Sequence, residues 1–160
     1  MLHTIQSVKE GNQVLIVCMG DSITEQNSHC HQHLNYVGLF AEQLLQTFGR
    51  RTFVFNTGVS GEMTGRAIER LHLDALRHKP DLLTLMYGIN DSKKGLEGVA
   101  EFRDNLHTLI GLVRQTDTEL LLLSQNPILY DQTEPARLRI HYDRYLEVLR
   151  EVAAELAVPF

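Results

Sequence analysis

The sequence predicts an α/β sandwich organised on a parallel sheet, and three features carry that prediction. Short, continuous apolar runs recur along the 160 residues, apolar residues between them repeat at helical three/four spacing, and Gly, Pro and Asn mark short turns at the junctions. Continuous apolar runs belong to strands covered on both faces. Strands that alternate with helices through short turns pair in parallel by right-handed crossovers.

Residues 13–18, bounded by Gly11-Asn12 and Gly20, predict the first strand. Tyr36, Val37, Phe40, Ala41, Leu44, Leu45 and Phe48 share one helical face, and Gly49 stops that helix. Residues 52–55 are rich in β-formers and end at the glycine-punctuated turn 56–61. Ala67, Ile68, Leu71, Ala75 and Leu76 mark a second helix that stops before Pro80, and residues 82–86 form the third strand. Val99, Phe102, Leu106, Leu109, Ile110 and Val113 keep the helical spacing without a slip, predicting a helix over 97–116. Residues 120–123 read as a fourth strand, 124–135 as a polar loop, and Leu138 through Leu156 as a final helix opened by Pro135. Val158-Pro159-Phe160 reads as the start of a fifth strand, so the expectation is a single domain over 1–160, truncated at its C-terminus. With the fifth strand largely missing, the run 120–123 would present an open sheet edge through which copies could associate as a homo-oligomer.

Composition excludes several function classes. Twenty acidic against 15 basic residues give a net charge of -5, which leaves no basic footprint for nucleic acid. Residues 1–7 lack a cationic segment leading into an apolar one, and the first apolar run has only strand length, so neither secretion nor a membrane span is expected. Two cysteines, Cys18 and Cys30, are too few for a disulfide framework, and the expected location is cytoplasmic.

The distinctive polar residues all follow strands. Gly20-Asp21-Ser22-Ile23-Thr24 follows the first, Asn56-Thr57-Gly58-Val59-Ser60-Gly61 the second, and Tyr87-Gly88-Ile89-Asn90-Asp91 the third. In a parallel sheet such loops share one edge, where ligands bind. Gly-Asp-Ser by itself describes an ordinary βα turn as well as it describes a nucleophile. Together, however, Ser22 offers a hydroxyl nucleophile, Gly61 an N–H that a ligand can approach closely, and Asn90 an amide that can donate to an oxyanion. This is most of an acyl-transfer site.

These three blocks resemble, in order and spacing, the first three sequence blocks of the GDSL-type or SGNH hydrolase superfamily. The resemblance implies a flavodoxin-like three-layer sandwich with strand order 2-1-3-4-5 and Ser22 as the nucleophile. It also implies an oxyanion hole built from the backbone N–H groups of Ser22 and Gly61 and the side-chain amide of Asn90, with Asp21 and Asp91 organising their loops. The family takes its base from an Asp-x-x-His motif after the fifth strand, and no such motif occupies that position here, so the base is expected beyond Phe160. His141 and Asp143, about two turns into the predicted final helix, would lie on the order of 10 Å below the Ser22 edge and are expected to be solvated helix residues. Asp21, Tyr87, Asn126 and Tyr130 are the expected substrate-binding residues, although each could simply close its loop. His29, Cys30, His31 and His33 include metal-binding residue types, but their spacing matches no standard site, and a polar wall of the substrate pocket fits them better.

The resemblance therefore implies a serine esterase acting on a small-molecule ester, with no cofactor and no metal. The alternative from another class is a catalytically silent small-molecule-binding module, or an inactive fragment that lacks the Asp-x-x-His motif. A nucleotide-binding domain fits less well, because the first loop has neither G-x-G-x-x-G nor G-x-x-x-x-G-K-[ST].

Overall fold

The computed structural model describes residues 2–26, 30–31, 33–128 and 139–160. Four parallel strands, β1 (Val14–Gly20), β2 (Thr52–Asn56), β3 (Leu82–Met86) and β4 (Glu119–Leu122), form one sheet of order β2-β1-β3-β4. The register pairs Val14 with Thr52, Ile16 with Leu82, and Leu82 with Glu119. The helices are α1 (His3–Lys9), α2 (Tyr36–Phe48), α3 (Thr64–Asp74), α4 (Val99–Val113) and α5 (Tyr142–Glu155). Alternation along the strands divides the core into two layers. Val17, Met19, Leu83 and Leu85 pack with the apolar faces of α3, α4 and α5. Ile16, Cys18 and Leu82 pack on the other face with Val37 and Leu44 of α2. The three-layer sandwich expected through the resemblance is present, and the four strands take the 2-1-3-4 part of the expected order.

Several elements differ from the sequence prediction. β1 runs to Gly20, two residues further than the apolar run, because Met19 and Gly20 pair with Leu85 and Met86 of β3. Helix α1 has no local signal: Leu2 caps it without a side-chain bond, and its first N–H groups, those of His3 and Thr4, donate instead to Glu119 at 2.9 and 3.0 Å. The final helix starts at Tyr142, after a turn at 139–141, and its expected start at Pro135 lies outside the described residues. His141 is therefore its N-cap residue, not a residue two turns inside it, and the depth argument against it as a base no longer applies.

The last residues return to the outer side of β4, where the Leu122 N–H donates to the Pro159 carbonyl at 2.9 Å. Among the described residues, no helix is long and apolar enough to cross a membrane.

Candidate functional site

The carboxyl edge of the sheet gathers the predicted residues through backbone bonds first. After Gly20 the chain turns sharply, with the Thr24 and Glu25 N–H groups donating to the Asp21 carbonyl at 3.0 and 2.9 Å, and half-buried Ser22 sits inside this turn. Gly20 is required there, since a Cβ would come within 2.9 Å of the Met86 carbonyl. The loop after β2 is pinned onto the same turn: the Thr57 and Val59 N–H groups donate to the Cys18 and Gly20 carbonyls, each at 2.9 Å, and the Asn56 amide donates to the Thr24 carbonyl at 2.6 Å. Gly61, in the next turn, adopts φ +75°, a left-handed conformation that favours glycine, with open space beside its Cα. Its N–H donates no hydrogen bond among the described residues.

Asn90 links the two loops. Its Nδ2 donates to Asp21 Oδ2 at 3.0 Å and to the Glu62 carbonyl at 3.2 Å, so one amide bridges the residue before Ser22 and the residue after Gly61. Asn90 is 3% exposed and Asp21 0%. The structure thus brings Ser22, Gly61 and Asn90 to one place.

Asp21 works from beneath this place rather than from a pocket wall. Its Oδ1 accepts the Ile23 N–H at 3.0 Å, and its Oδ2 accepts Gln125 Nε2 at 2.6 Å as well as Asn90. Burial pushes the Asp21 carboxyl above the ordinary carboxylate range, against the pull of the Ile23 N–H, the Gln125 amide and the Arg139 charge. Arg139 also donates to the Ile89 carbonyl at 3.1 Å and to Asn90 Oδ1 at 3.4 Å. Gln125 and Arg139 carry no local signal that singles them out in the sequence.

Tyr87, expected at the pocket, is buried, and its hydroxyl donates to Glu62 Oε2 at 2.6 Å. Arg70 grips the same carboxylate with Nε and Nη2, both at 2.6 Å, and reaches the Thr57 carbonyl at 2.7 Å. Burial, with the neighbouring Glu62 charge, pushes the Tyr87 phenol well up, so it stays a neutral donor. Tyr87 therefore belongs to the framework under the Gly61 loop and not to a substrate wall. Asn126 is exposed, with its amide on the Pro127 carbonyl at 3.3 Å; Tyr130 and His29 lie outside the described residues. Among the described residues, no three His, Cys, Asp or Glu side chains are grouped to hold a metal ion. His141 lies against Gly95, its Cδ2 3.9 Å from where a Cβ of that glycine would stand.

Known proteins share this arrangement of chain. The fold superposes on a catalytic mutant of Axe2, an acetylxylan esterase from Geobacillus stearothermophilus, with a TM-score of 0.74 and 24% identity over 94% of this chain and 76% of that one. LAE5, an α/β hydrolase from the metagenome of Lake Arreo, superposes with a TM-score of 0.72 and 23% identity, covering 92% of this chain and 75% of that one. Among curated relatives, an arylesterase of Vibrio mimicus is 24% identical over 77% of this chain, which spans 60% of that protein's length. An uncharacterized lipoprotein of Bacillus subtilis, YqeF, is 26% identical over 90% of this chain and 68% of its own length. A single family model runs from Cys18 to Phe160, through all three loops that meet at Asn90, and by that match the chain belongs to the GDSL-like lipase/acylhydrolase family.

Proposed function

We propose that the protein is a serine carboxylic-ester hydrolase. The observation that carries this reading is the Asn90 amide, bonded at once to the neighbour of Ser22 and the neighbour of Gly61. Ser22 Oγ attacks the ester carbonyl, and the tetrahedral oxyanion takes hydrogen bonds from the Ser22 and Gly61 N–H groups and from Asn90 Nδ2. The alcohol then leaves, and water releases the acyl group from Ser22. Of the two Asn90 amide hydrogens, the one toward Asp21 stays in place. The other exchanges its longer bond to the Glu62 carbonyl for one to the developing negative charge. The base that receives the Ser22 proton is assigned, through the resemblance, to a histidine of an Asp-x-x-His segment.

The names of the relatives, arylesterase and acetylxylan esterase, support a carboxylic ester as the substrate class. The free thiols of Cys18 and Cys30 support a cytoplasmic setting. The name of the lipoprotein relative supports the opposite, and cell fractionation decides between them.

A fluorophosphonate probe is expected to label Ser22 in the full-length protein, because a serine activated beside an oxyanion hole attacks phosphorus readily. Peptide mapping locates the label, and Ser22→Ala should abolish both labelling and hydrolysis of a p-nitrophenyl ester. A label on another residue, or activity retained in Ser22→Ala, would overturn the assignment. A protein that binds an ester without turnover or labelling would be the silent binding module instead.

A further inference from the structure

We propose that Gln125 is the positioning residue that sets the donor geometry of Asn90, an inference that rests on the esterase reading of the site. Gln125 stands three residues past the end of β4, and its side chain turns inward until only 5% of the residue is exposed. Its Nε2 donates to Asp21 Oδ2 at 2.6 Å, and its Oε1 accepts the Ile89 N–H at 2.6 Å. Both partners touch Asn90. Asp21 Oδ2 is the atom that receives the Asn90 amide, and the Ile89 N–H belongs to the residue before Asn90. One side chain therefore holds Asn90 by its backbone approach and, through Asp21, by its amide. It also ties the end of β4 to the ends of β1 and β3.

The chemistry of this position calls for a primary amide. The group must donate to a carboxylate and accept a backbone N–H at the same time. An ionised glutamate only accepts, a lysine or arginine only donates, and leucine does neither. Without the Gln125 donor, Asp21 would keep Asn90 on Oδ2 and the Ile23 N–H on Oδ1 but lose the shortest of the three bonds that fix its orientation. An error of a fraction of an ångström in Asn90 Nδ2 is then passed directly to the oxyanion.

Gln125→Glu makes this testable through pH. Across a 2.6 Å contact two carboxylates cannot both ionise cheaply, so the introduced carboxyl group and Asp21 would share one proton at low pH and restore the missing donor. They would lose it as pH rises. The charged and titratable groups around the pair are Glu62 in the β2–α3 loop, Lys93 after β3, Arg139 before α5 and the Tyr36 phenol of α2, all of which interact with Asp21 directly or through each other. In the full chain, the ratio of kcat in Gln125→Glu to that in wild type should fall on the order of 10- to 100-fold from pH 5 to pH 9, with KM changed less than about threefold. Gln125→Leu should lose on the order of 100-fold in kcat at every pH.

Turnover is not the only readout. The Asn90 side-chain amide resonances in a ¹H–¹⁵N spectrum should titrate in Gln125→Glu with the same midpoint as the kcat ratio, and should not titrate so in wild type. If wild type that carries its Asp-x-x-His segment neither hydrolyses esters nor takes the fluorophosphonate at Ser22, the esterase reading fails, while the Asn90 titration still decides whether Gln125 controls that amide. A pH-independent kcat ratio with Asn90 resonances unmoved in Gln125→Glu would overturn the proposal. So would wild-type kcat and resonances in Gln125→Leu. Should Gln125→Leu not fold, the glutamate variant, folded at low pH, gives the answer alone.

Discussion

The two edges of the sheet treat their carboxylates in opposite ways. At the amino edge, Glu119 accepts the N–H groups of His3 and Thr4 and the Thr4 hydroxyl, and Asp81 accepts the Leu15 N–H at 2.7 Å. Burial pulls the Glu119 carboxyl up, but these donors together outweigh it and hold the group below its ordinary value. At the carboxyl edge, Asp21 and Asp91 are buried and pushed above theirs. One edge uses its charges to hold the fold together, while the other keeps desolvated charges at a cost in stability. The hollows follow a different rule. Two clefts among the described residues, of about 540 and 430 Å³, share Asp81 and residues 116–118 and lie at the amino edge, away from Ser22, Gly61 and Asn90.

The sharpest way to break this contrast is to delete a donor at the carboxyl edge. Asn90→Ala should lower kcat on p-nitrophenyl esters by about 10²–10³, with KM nearly unchanged, because an oxyanion donor acts mainly in the transition state. A loss confined to KM would make Asn90 a substrate-binding group. The matching deletion at the amino edge should do the reverse. Glu119→Ala removes a carboxylate that accepts three hydrogen bonds and caps α1, so it should cost about 2 kcal/mol in chemical denaturation. Its kcat should stay within about twofold of wild type. An activity loss in Glu119→Ala comparable to that of Asn90→Ala would erase the functional distinction between the edges.

How much of this is legible in the sequence depends on range. Ser22, Gly61 and Asn90 can be placed at one edge because each follows closely on a strand, and Gly-Asp-Ser and Gly-Ile-Asn-Asp are local signals. Helix α2 shows its observed ends in the sequence, because Tyr36 through Phe48 keep one apolar face and Gly49 stops them. What escapes is set by partners far along the chain. Gln125 meets Asp21 across 104 positions, and the loop it occupies has no periodicity to tell which side chain turns inward. The local pattern favours its exposed neighbour Asn126 just as well. Tyr87 continues the buried run of β3 past Met86, so its hydroxyl meets Glu62 inside the protein, and nothing near Tyr87 in sequence shows that Glu62 and Arg70 wait there. Helix α1 escapes for the same reason, since Glu119 caps it from 116 residues away.

The smallest expected effect tests the sign of the contrast. Asp91 Oδ1 accepts the Thr64 N–H at 2.9 Å and the Thr64 hydroxyl at 2.5 Å, capping α3 from the loop after β3. Its Oδ2 is buried without a hydrogen-bond partner among the described residues. Burial is the largest influence on this carboxyl and raises it above 3.8, against the two Thr64 bonds. The native state therefore binds this proton more tightly than the unfolded chain does, so the Asp91 contribution is fully present below about pH 4 and is lost as pH rises through the raised value. Asp91→Asn keeps an oxygen for Thr64 and removes the titration. Its stability relative to wild type should drift in its favour as pH rises across that window. Glu119→Gln should drift the other way. Its wild-type carboxyl is held below 4.5, so that contribution is present above this value and is lost as pH falls through the lowered one. The variant's deficit should accordingly grow as pH rises. Denaturation midpoints of both variants and wild type, taken from about pH 3 to pH 7, measure the two slopes. Opposite signs keep the distinction between a stabilising edge and a working edge; equal signs would remove its electrostatic basis.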